Sequence, residues 1–168
     1  MLRTIGRFGM TLLIASSFNI ASSLSNPQEA VAGVLTLPDG GSCEGEISNG
    51  VLNGKVTCKY ANGDSYEGNF TNGKKQGQGV YTFAKGGRYE GEFTEDKPNG
   101  KGVRAYPDGD RCEGQFSAGQ LNGKGACKYA NGDSFDGEFR NGEKDKGAYI
   151  FADGTRVEGT WKDGKLQN

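Results

Sequence analysis

Six acidic side chains recur along this chain at intervals of 22 or 23 residues, and they are the first candidates for chemistry. They are Glu44, Glu67, Glu90, Glu113, Asp136 and Glu158. Carboxylate pairs about 5 to 9.5 Å apart catalyse glycoside hydrolysis, and stacked units of two strands would space these groups by about 9.6 Å. A repeated unit produces such a row whatever its function. We therefore expect a solvated structural face and predict no catalytic residue.

Four cysteines in two pairs form the second candidate site: Cys43 with Cys58, and Cys112 with Cys127. Four thiolates are a common zinc site, whereas paired cysteines in an oxidising compartment are typical of disulfides. The choice depends on how far apart the fold holds the two pairs. It therefore depends on the elements that carry them.

A repeat of about 23 residues carries both sets of side chains. Each copy opens with an aromatic residue, an acid, Gly, any residue and an aromatic residue, as in 66–70 and 89–93. Variants begin at Cys43, Cys112, Phe135 and Val157. Alternation in this stretch is typical of a strand, a second strand follows, and Asn-Gly or Asp-Gly pairs predict the tight turns. Each copy is therefore predicted to be a β-hairpin stacked on its neighbours.

The unit resembles the MORN repeat, whose pattern is Tyr-Glu-Gly-x-Trp/Phe, a Gly-rich turn, and Gly-x-Gly leading an apolar strand. The second repeat matches it at Tyr66, Glu67, Gly68, Phe70, Gly73, Gly77, Gly79, Tyr81, Phe83 and Gly86. The resemblance covers residues 33–168 and departs locally, with Asp96 in place of a turn glycine and a fifth repeat one residue short. It implies an all-β fold: one elongated, open, single-layer twisted sheet of antiparallel hairpins. It also implies membrane attachment or protein binding, without enzymatic activity.

The predicted boundaries follow this repeat. Five complete copies occupy 43–65, 66–88, 89–111, 112–134 and 135–156, between half repeats at 33–42 and 157–168. A longer repetition overlies them, since residues 53–70 recur as 122–139 with 13 of 18 residues identical. This pattern indicates the duplication of a block of three repeats.

The predicted register of each hairpin places the first residue of a repeat opposite the sixteenth. In the first and fourth repeats both residues are cysteine. Three hairpins would separate the two pairs by about 29 Å, which is too far for one zinc ion. We predict disulfides Cys43–Cys58 and Cys112–Cys127, each contributing about 3 kcal/mol, and we predict no metal and no cofactor. Unpaired buried thiols are the alternative.

The same register predicts further facing residues. Within repeats it pairs Glu46 with Lys55, Asn69 with Gln78, Glu92 with Lys101, Gln115 with Lys124, and Glu138 with Lys146. Across the turn to the next repeat it pairs Tyr60 with Tyr66, Phe83 with Tyr89, and Tyr129 with Phe135. Opposite charges and aromatic pairs are favourable in such positions.

A row of rings along one sheet face is the predicted binding surface. With no opposing layer we expect this face to remain partly open, and an open apolar face usually marks an interaction site. The rings are Tyr66, Phe70, Tyr89, Phe93, Phe116, Phe139 and Trp161. Because the same rings hold the sheet together, we expect them to serve both packing and binding.

The N-terminus has the features of a secretory signal peptide over residues 1–32. A basic start at Arg3 and Arg7 precedes an apolar stretch at 8–18, which is too short to span a bilayer. Cleavage is predicted after Ala30-Val31-Ala32, where the array begins, with Ala21-Ser22-Ser23 as the second choice. An uncleaved anchor or an unstructured leader is the alternative. The chain is thus predicted to be periplasmic or secreted.

Charge and composition restrict the partner classes. Residues 33–168 carry 18 basic and 20 acidic side chains, so there is no basic excess to attract nucleic acid. Histidine, the commonest general base, is absent from the sequence. We expect a non-catalytic protein-binding or scaffolding module with a protein partner. A membrane-lipid adaptor is the alternative, disfavoured because the basic residues alternate with acids.

Overall fold

The computed structural model describes residues 31–167, and the regular structure of that range is entirely β-strand. The strands are β1 (Val31–Thr36), β2 (Ser42–Ser48), β3 (Val51–Lys59), β4 (Ser65–Thr71), β5 (Lys74–Thr82), β6 (Arg88–Thr94), β7 (Lys97–Ala105), β8 (Arg111–Ser117), β9 (Gln120–Lys128), β10 (Ser134–Arg140), β11 (Glu143–Ile150), β12 (Arg156–Lys162) and β13 (Lys165–Gln167). The predicted signal peptide lies outside the described residues, apart from Val31 and Ala32 at the start of β1.

The 13 strands form one sheet in which spatial order follows sequence order. Every pairing is antiparallel, so consecutive strands form hairpins and consecutive hairpins are hydrogen-bonded to each other. This arrangement confirms the predicted all-β array in a single open sheet. β1 and β13 form its two edges.

Two-residue turns join the strands within each repeat, as Asn-Gly predicts. In the second repeat Asn72 and Gly73 have φ angles of 51° and 78°, the left-handed pair that a type I′ turn requires. The third repeat has Glu95 and Asp96 in these places, with φ angles of 49° and 69°. Asp96 compensates for the missing glycine, because its Oδ1 accepts a 2.9 Å hydrogen bond from the Lys75 N–H.

The predicted opposition of first and sixteenth residues is confirmed, for example between Tyr66 and Tyr81. The pairing predicted across the next turn is wrong by two residues, because Tyr66 faces Cys58 and not Tyr60. The turn closes earlier than expected, since the Tyr60 N–H donates to the Asp64 carbonyl at 2.9 Å. The same shift pairs Tyr81 with Tyr89 and Cys127 with Phe135, in place of Phe83 with Tyr89 and Tyr129 with Phe135.

A bulge in the second strand of each complete repeat changes the pairing near the fourth residue. In the second repeat the residue after Gly68 lies opposite three residues of the other strand. Of the five pairs predicted there, Glu138 with Lys146 is formed, and the other four fall within bulges. The fifth repeat has a smaller bulge, so its missing residue is absorbed there and the turn is unchanged.

Rings of successive repeats form the core on one face of the sheet, which we call the aromatic face. The Tyr66 ring centroid lies 5.4 Å from that of Phe70 and 5.2 Å from that of Phe93. Tyr89 continues the row, 5.2 Å from Phe93 and 5.0 Å from Phe116. All four contacts are edge to face, an attractive geometry for aromatic rings.

The predicted row of rings on the aromatic face is not open, and this corrects the expectation from the sequence. Six of the seven rings predicted to bind a partner are at most 7% exposed: Tyr66, Phe70, Tyr89, Phe93, Phe116 and Phe139. Trp161 is half-buried. Tyr66 shows the physical reason, since its ring lies so close over Gly79 that a Cβ added there would be 2.7 Å from it. A ring on bare backbone, covered by rings of the adjoining repeat, is buried by a single layer.

Candidate binding surfaces

The opposite face of the sheet, which we call the carboxylate face, carries the repeated row of acidic residues. A groove of about 1290 Å³ crosses this face between residues 78 and 158. A concavity of about 530 Å³ adjoins it, since Gln78 and Glu90 line both. Each of the six acidic residues lines one of these two depressions. The predicted row therefore borders one long depression across the array.

Arginines neutralise half of this row. Arg88 pairs with Glu90, Arg111 Nη1 lies 2.8 Å from Glu113 Oε2, and Arg156 Nη1 lies 2.6 Å from Glu158 Oε2. Each arginine precedes its partner by two residues and so lies on the same strand face. Serine precedes the other three, Glu44, Glu67 and Asp136. Exposed pairs contribute little stability, so the choice of arginine or serine at this position mainly sets the charge of the groove. This choice is visible in the sequence, but sequence reasoning missed it.

The floor of the larger groove is largely backbone. Gly91 faces Gly102 there, and Gly114 faces Gly125. Lysines line the groove as a second row of charge: Lys101, Lys124 and Lys146. The groove thus offers carboxylates and ammonium groups beside the backbone of paired glycines.

Two lysines lie against the rings of the aromatic face. The Lys75 ammonium is 5.2 Å from the Tyr60 ring centroid and 5.4 Å from that of Tyr81. The Lys144 ammonium is 4.7 Å from the Tyr149 ring centroid. Cations at these distances are attracted by the ring faces. Burial lowers the pKa of both lysines.

A turn aspartate completes each of these two groups. The Tyr81 hydroxyl donates to Asp64 Oδ2 and the Tyr149 hydroxyl to Asp133 Oδ2, both at 2.6 Å. The pKa of Asp64 is lowered, chiefly by the Ala84 N–H, which donates to its Oδ1 at 2.8 Å. The pKa of Asp133 is lowered chiefly by the Tyr149 hydroxyl. Burial and Asp133 raise the pKa of Tyr149 to about 12.

Sequence reasoning missed the two lysines, although the sequence contains a signal for them. The tenth residue of a repeat is Lys75 or Lys144 where the residue that faces the first is tyrosine, Tyr81 or Tyr149. It is Leu52 or Leu121 where the sixteenth is cysteine. The two positions change together because both lie on the aromatic face and share one space.

Both predicted cysteine pairs are disulfide-bonded in the structure. The Cα atoms of Cys43 and Cys58 are 4.0 Å apart, as are those of Cys112 and Cys127. All four side chains are buried in the aromatic face. Within residues 31–167 no group of three or more Cys, Asp or Glu side chains is arranged to hold a metal ion.

Two solved structures are similar to this chain at low sequence identity and low TM-score. No curated protein matches the chain. The TCP domain of SAS-4 (dCPAP) from Drosophila melanogaster, solved with a proline-rich motif of Ana2 (dSTIL), is 17% identical over 93% of this chain and 86% of that one, with a TM-score of 0.44. The TCP10 domain of Danio rerio CPAP, solved with a STIL peptide, is 19% identical over 77% and 84%, with a TM-score of 0.21. At these TM-scores neither structure bears on function.

The family model called MORN repeat matches six consecutive segments. They are residues 43–65, 66–88, 89–111, 112–134, 135–156 and 158–167. Over the residues that the structure describes, no helix is long and apolar enough to cross a membrane. The six matches cover most of the chain and follow the hairpins β2–β3 to β12–β13. This chain therefore belongs to the MORN repeat family.

Proposed function

We propose that this chain is an exported, non-catalytic scaffold that binds a protein partner along the groove of the carboxylate face. The observation that carries the proposal is the long depression itself, to which every repeat contributes an acidic side chain. An array without a second layer offers such a surface in place of an enclosed pocket. The seven rings predicted from the sequence support this surface from behind.

The pitch of the array fits an extended segment of a partner. Two strands of about 4.8 Å each advance the array by about 9.6 Å per repeat. An extended chain rises about 3.1 to 3.3 Å per residue, so three of its residues span one repeat. A bound segment would present equivalent side chains to successive repeats, and the carboxylates and lysines of the groove would pair with its charges.

The same geometry supports binding over catalysis. A glycosidase places two carboxylates in different environments so that one is an acid and the other a base or nucleophile. Here the acidic residues are equivalent by repetition, and three of them are paired with arginine. All six are exposed, so none has the buried setting that would make one carboxyl of a pair the acid.

Export is supported by the two disulfides and by the predicted signal peptide at residues 1–32. Disulfides persist in oxidising compartments outside the cytosol. Intact-mass measurement of protein from its native host should give a chain that begins at Gly33. A full-length soluble cytoplasmic product would contradict export.

Crosslinking in the native host, followed by identification of the partner, supplies the ligand for the test of the groove. Binding is then measured for the double variant Glu67→Lys with Asp136→Lys, which reverses two carboxylates that lack an arginine two residues earlier. We expect at least tenfold weaker binding. Glu95→Lys, at a hairpin turn outside the groove, is the matched control and should bind normally.

Chemical labelling of carboxyl groups on the complex should show protection of the six acidic residues of the carboxylate face. Labelling of these residues that the partner leaves unchanged would refute the proposal. Binding to anionic vesicles in low salt, with no protein partner recovered, would instead support the membrane-lipid adaptor.

A further inference from the structure

At two of the turns between repeats, the aromatic residue that opens the turn is followed fifteen residues later by a lysine. Tyr60 is followed fifteen residues later by Lys75, and Tyr129 by Lys144. In each case the lysine ammonium lies over the tyrosine ring, at distances of 5.2 and 5.5 Å from the ring centroid. The chain thus places one of its own cations over each of these two tyrosines.

Two other aromatic residues of this row are followed by leucine. Leu121 follows Tyr106 after fifteen residues, and Leu166 follows Phe151. Tyr106 and Phe151 are also the exposed members of the row, at 40% and 41%, whereas the two lysine-covered tyrosines are half-buried. The aromatic ring is therefore exposed in the two places where leucine, and not lysine, follows it fifteen residues later.

Beside Tyr106 this replacement leaves a cavity of about 460 Å³. Tyr106, Cys112 and Cys127 line it, and they occupy the places that Tyr60, Tyr66 and Tyr81 hold around the Lys75 ammonium. Leu121 does not reach into this space, because it is buried against the facing glycines of its own repeat. The cavity thus corresponds to the position of the ammonium in the second repeat.

The charges of the cavity favour a cation. Asp108, Asp110 and Glu143 line it, against one base, Lys144. The Arg104 guanidinium carbon lies over the Tyr106 ring, 5.3 Å from its centroid, but Arg104 is not among the residues that line the cavity.

Asp110 differs from its counterparts in the first and fourth repeats, Asp64 and Asp133. Asp64 and Asp133 each accept a tyrosine hydroxyl, whereas the residue in the place of that tyrosine near Asp110 is the disulfide-bonded Cys127. Asp110 Oδ1 accepts the Ala130 N–H at 2.9 Å. Its carboxylate has no tyrosine donor among the described residues.

We propose that this cavity binds a lysine side chain of a partner protein, with the ammonium over Tyr106 and beside Asp110. Lysine is the occupant that the chain itself uses in the two equivalent places. The proposal concerns the aromatic face and does not depend on the groove of the carboxylate face.

The probe is the blocked tripeptide acetyl-Gly-Lys-Gly-amide, titrated into the disulfide-intact chain at low salt. Chemical shifts of the Tyr106 ring report binding. We expect saturable shifts at Tyr106, and about tenfold weaker binding of the uncharged analogue with norleucine in place of lysine. Equal binding of both peptides would overturn the proposal.

Variants test the residues. Tyr106→Leu should weaken binding of the lysine tripeptide about tenfold, while the matched change Tyr60→Leu should leave it unchanged. Leu121→Lys supplies the lysine from the chain itself and should abolish binding. Leu121 is buried, so the Leu121→Lys variant could fail to fold, and Asp110→Asn is therefore the second test. The Asp110→Asn variant should bind the lysine tripeptide more weakly than the wild type.

Unchanged binding by Tyr106→Leu and by Asp110→Asn would refute the site. Choline that binds at least tenfold more tightly than the lysine tripeptide would refute the lysine assignment and point to a lipid headgroup. Neither result concerns the groove, so this proposal and the proposed function fail independently.

Discussion

The cysteine hairpins and the tyrosine-lysine hairpins of this array fill the same space in two different ways. In the first and fourth repeats a disulfide joins the two strands and the tenth residue is a buried leucine. In the fourth repeat this leucine, Leu121, covers the facing Gly114 and Gly125. In the second and fifth repeats an aromatic pair faces across the hairpin, and a lysine reaches over the rings. A short covalent link in one kind of hairpin and a large noncovalent cluster in the other thus stabilise the same backbone arrangement.

The difference has a consequence for the surface. A tyrosine with its lysine and aspartate satisfies its polar groups within the chain, as Tyr81, Lys75 and Asp64 do. A disulfide with leucine is smaller and leaves the neighbouring Tyr106 exposed beside a cavity. The tyrosine-lysine hairpins are therefore closed units, and the fourth repeat is where the aromatic face remains open to a partner.

Removing a core ring should have the largest effect on the free energy of unfolding. Phe135→Ala removes a fully buried ring that contacts Phe139 at 5.2 Å and Trp161 at 5.9 Å. We expect the free energy of unfolding to fall by about 3 to 5 kcal/mol, measured by urea denaturation. Phe151→Ala, at an exposed ring, is the control and should cost much less. Equal losses in the two variants would show that the ring row is not the core.

Removing a disulfide should have the next largest effect. Cys112→Ser with Cys127→Ser opens the fourth hairpin, and the expected loss is about 3 kcal/mol in the free energy of unfolding. The circular dichroism spectrum of the folded state should remain that of the wild type, because Tyr66 and Tyr81 hold the second hairpin without a covalent bond. Non-reducing peptide mapping should recover both predicted pairs. Four free thiols, or a Cys43–Cys112 crosslink, would contradict the register.

Neutralising a lysine of the closed hairpins should cost less. Lys75→Met keeps most of the aliphatic stem and removes the charge that lies over Tyr60 and Tyr81. We expect a loss of about 1 kcal/mol in the free energy of unfolding. Lys85→Met, at an exposed turn, is the control. A Lys75→Met variant as stable as the wild type would mean that the ammonium contributes nothing to the closed hairpin.

The smallest effect concerns acid stability. Since the folded pKa of Asp133 is lowered, its carboxylate contributes stability that is present above the ordinary aspartate pKa and is lost as the pH falls through the folded value. Tyr149→Phe removes the largest cause and should raise the pKa of Asp133 towards its ordinary value. Carboxyl ¹³C titration measures this shift, with Tyr129→Phe as the control. An unchanged titration would show that the hydroxyl is not the cause.

Local rules were sufficient for the hairpins themselves. Period-two alternation and Asn-Gly turns depend on residues adjacent in the chain, so the strands, the type I′ turns and the opposition of Cys43 with Cys58 followed from the sequence. The register predicted across the longer turns was wrong by two residues, because a hydrogen bond from the Tyr60 N–H to the Asp64 carbonyl closes a three-residue loop that the spacing alone did not predict.

By itself, the sequence determined the repeat, its family and both cysteine pairs, since each rests on a spacing repeated along one chain. Only the tertiary structure decided which face was open. The Tyr66 ring is covered by Phe93 of the following repeat and lies over Gly79 of its own, and no count of apolar residues shows how completely two such neighbours exclude water. Because these contacts between repeats bury the predicted rings, the candidate surfaces are the carboxylate groove and the cavity beside Tyr106.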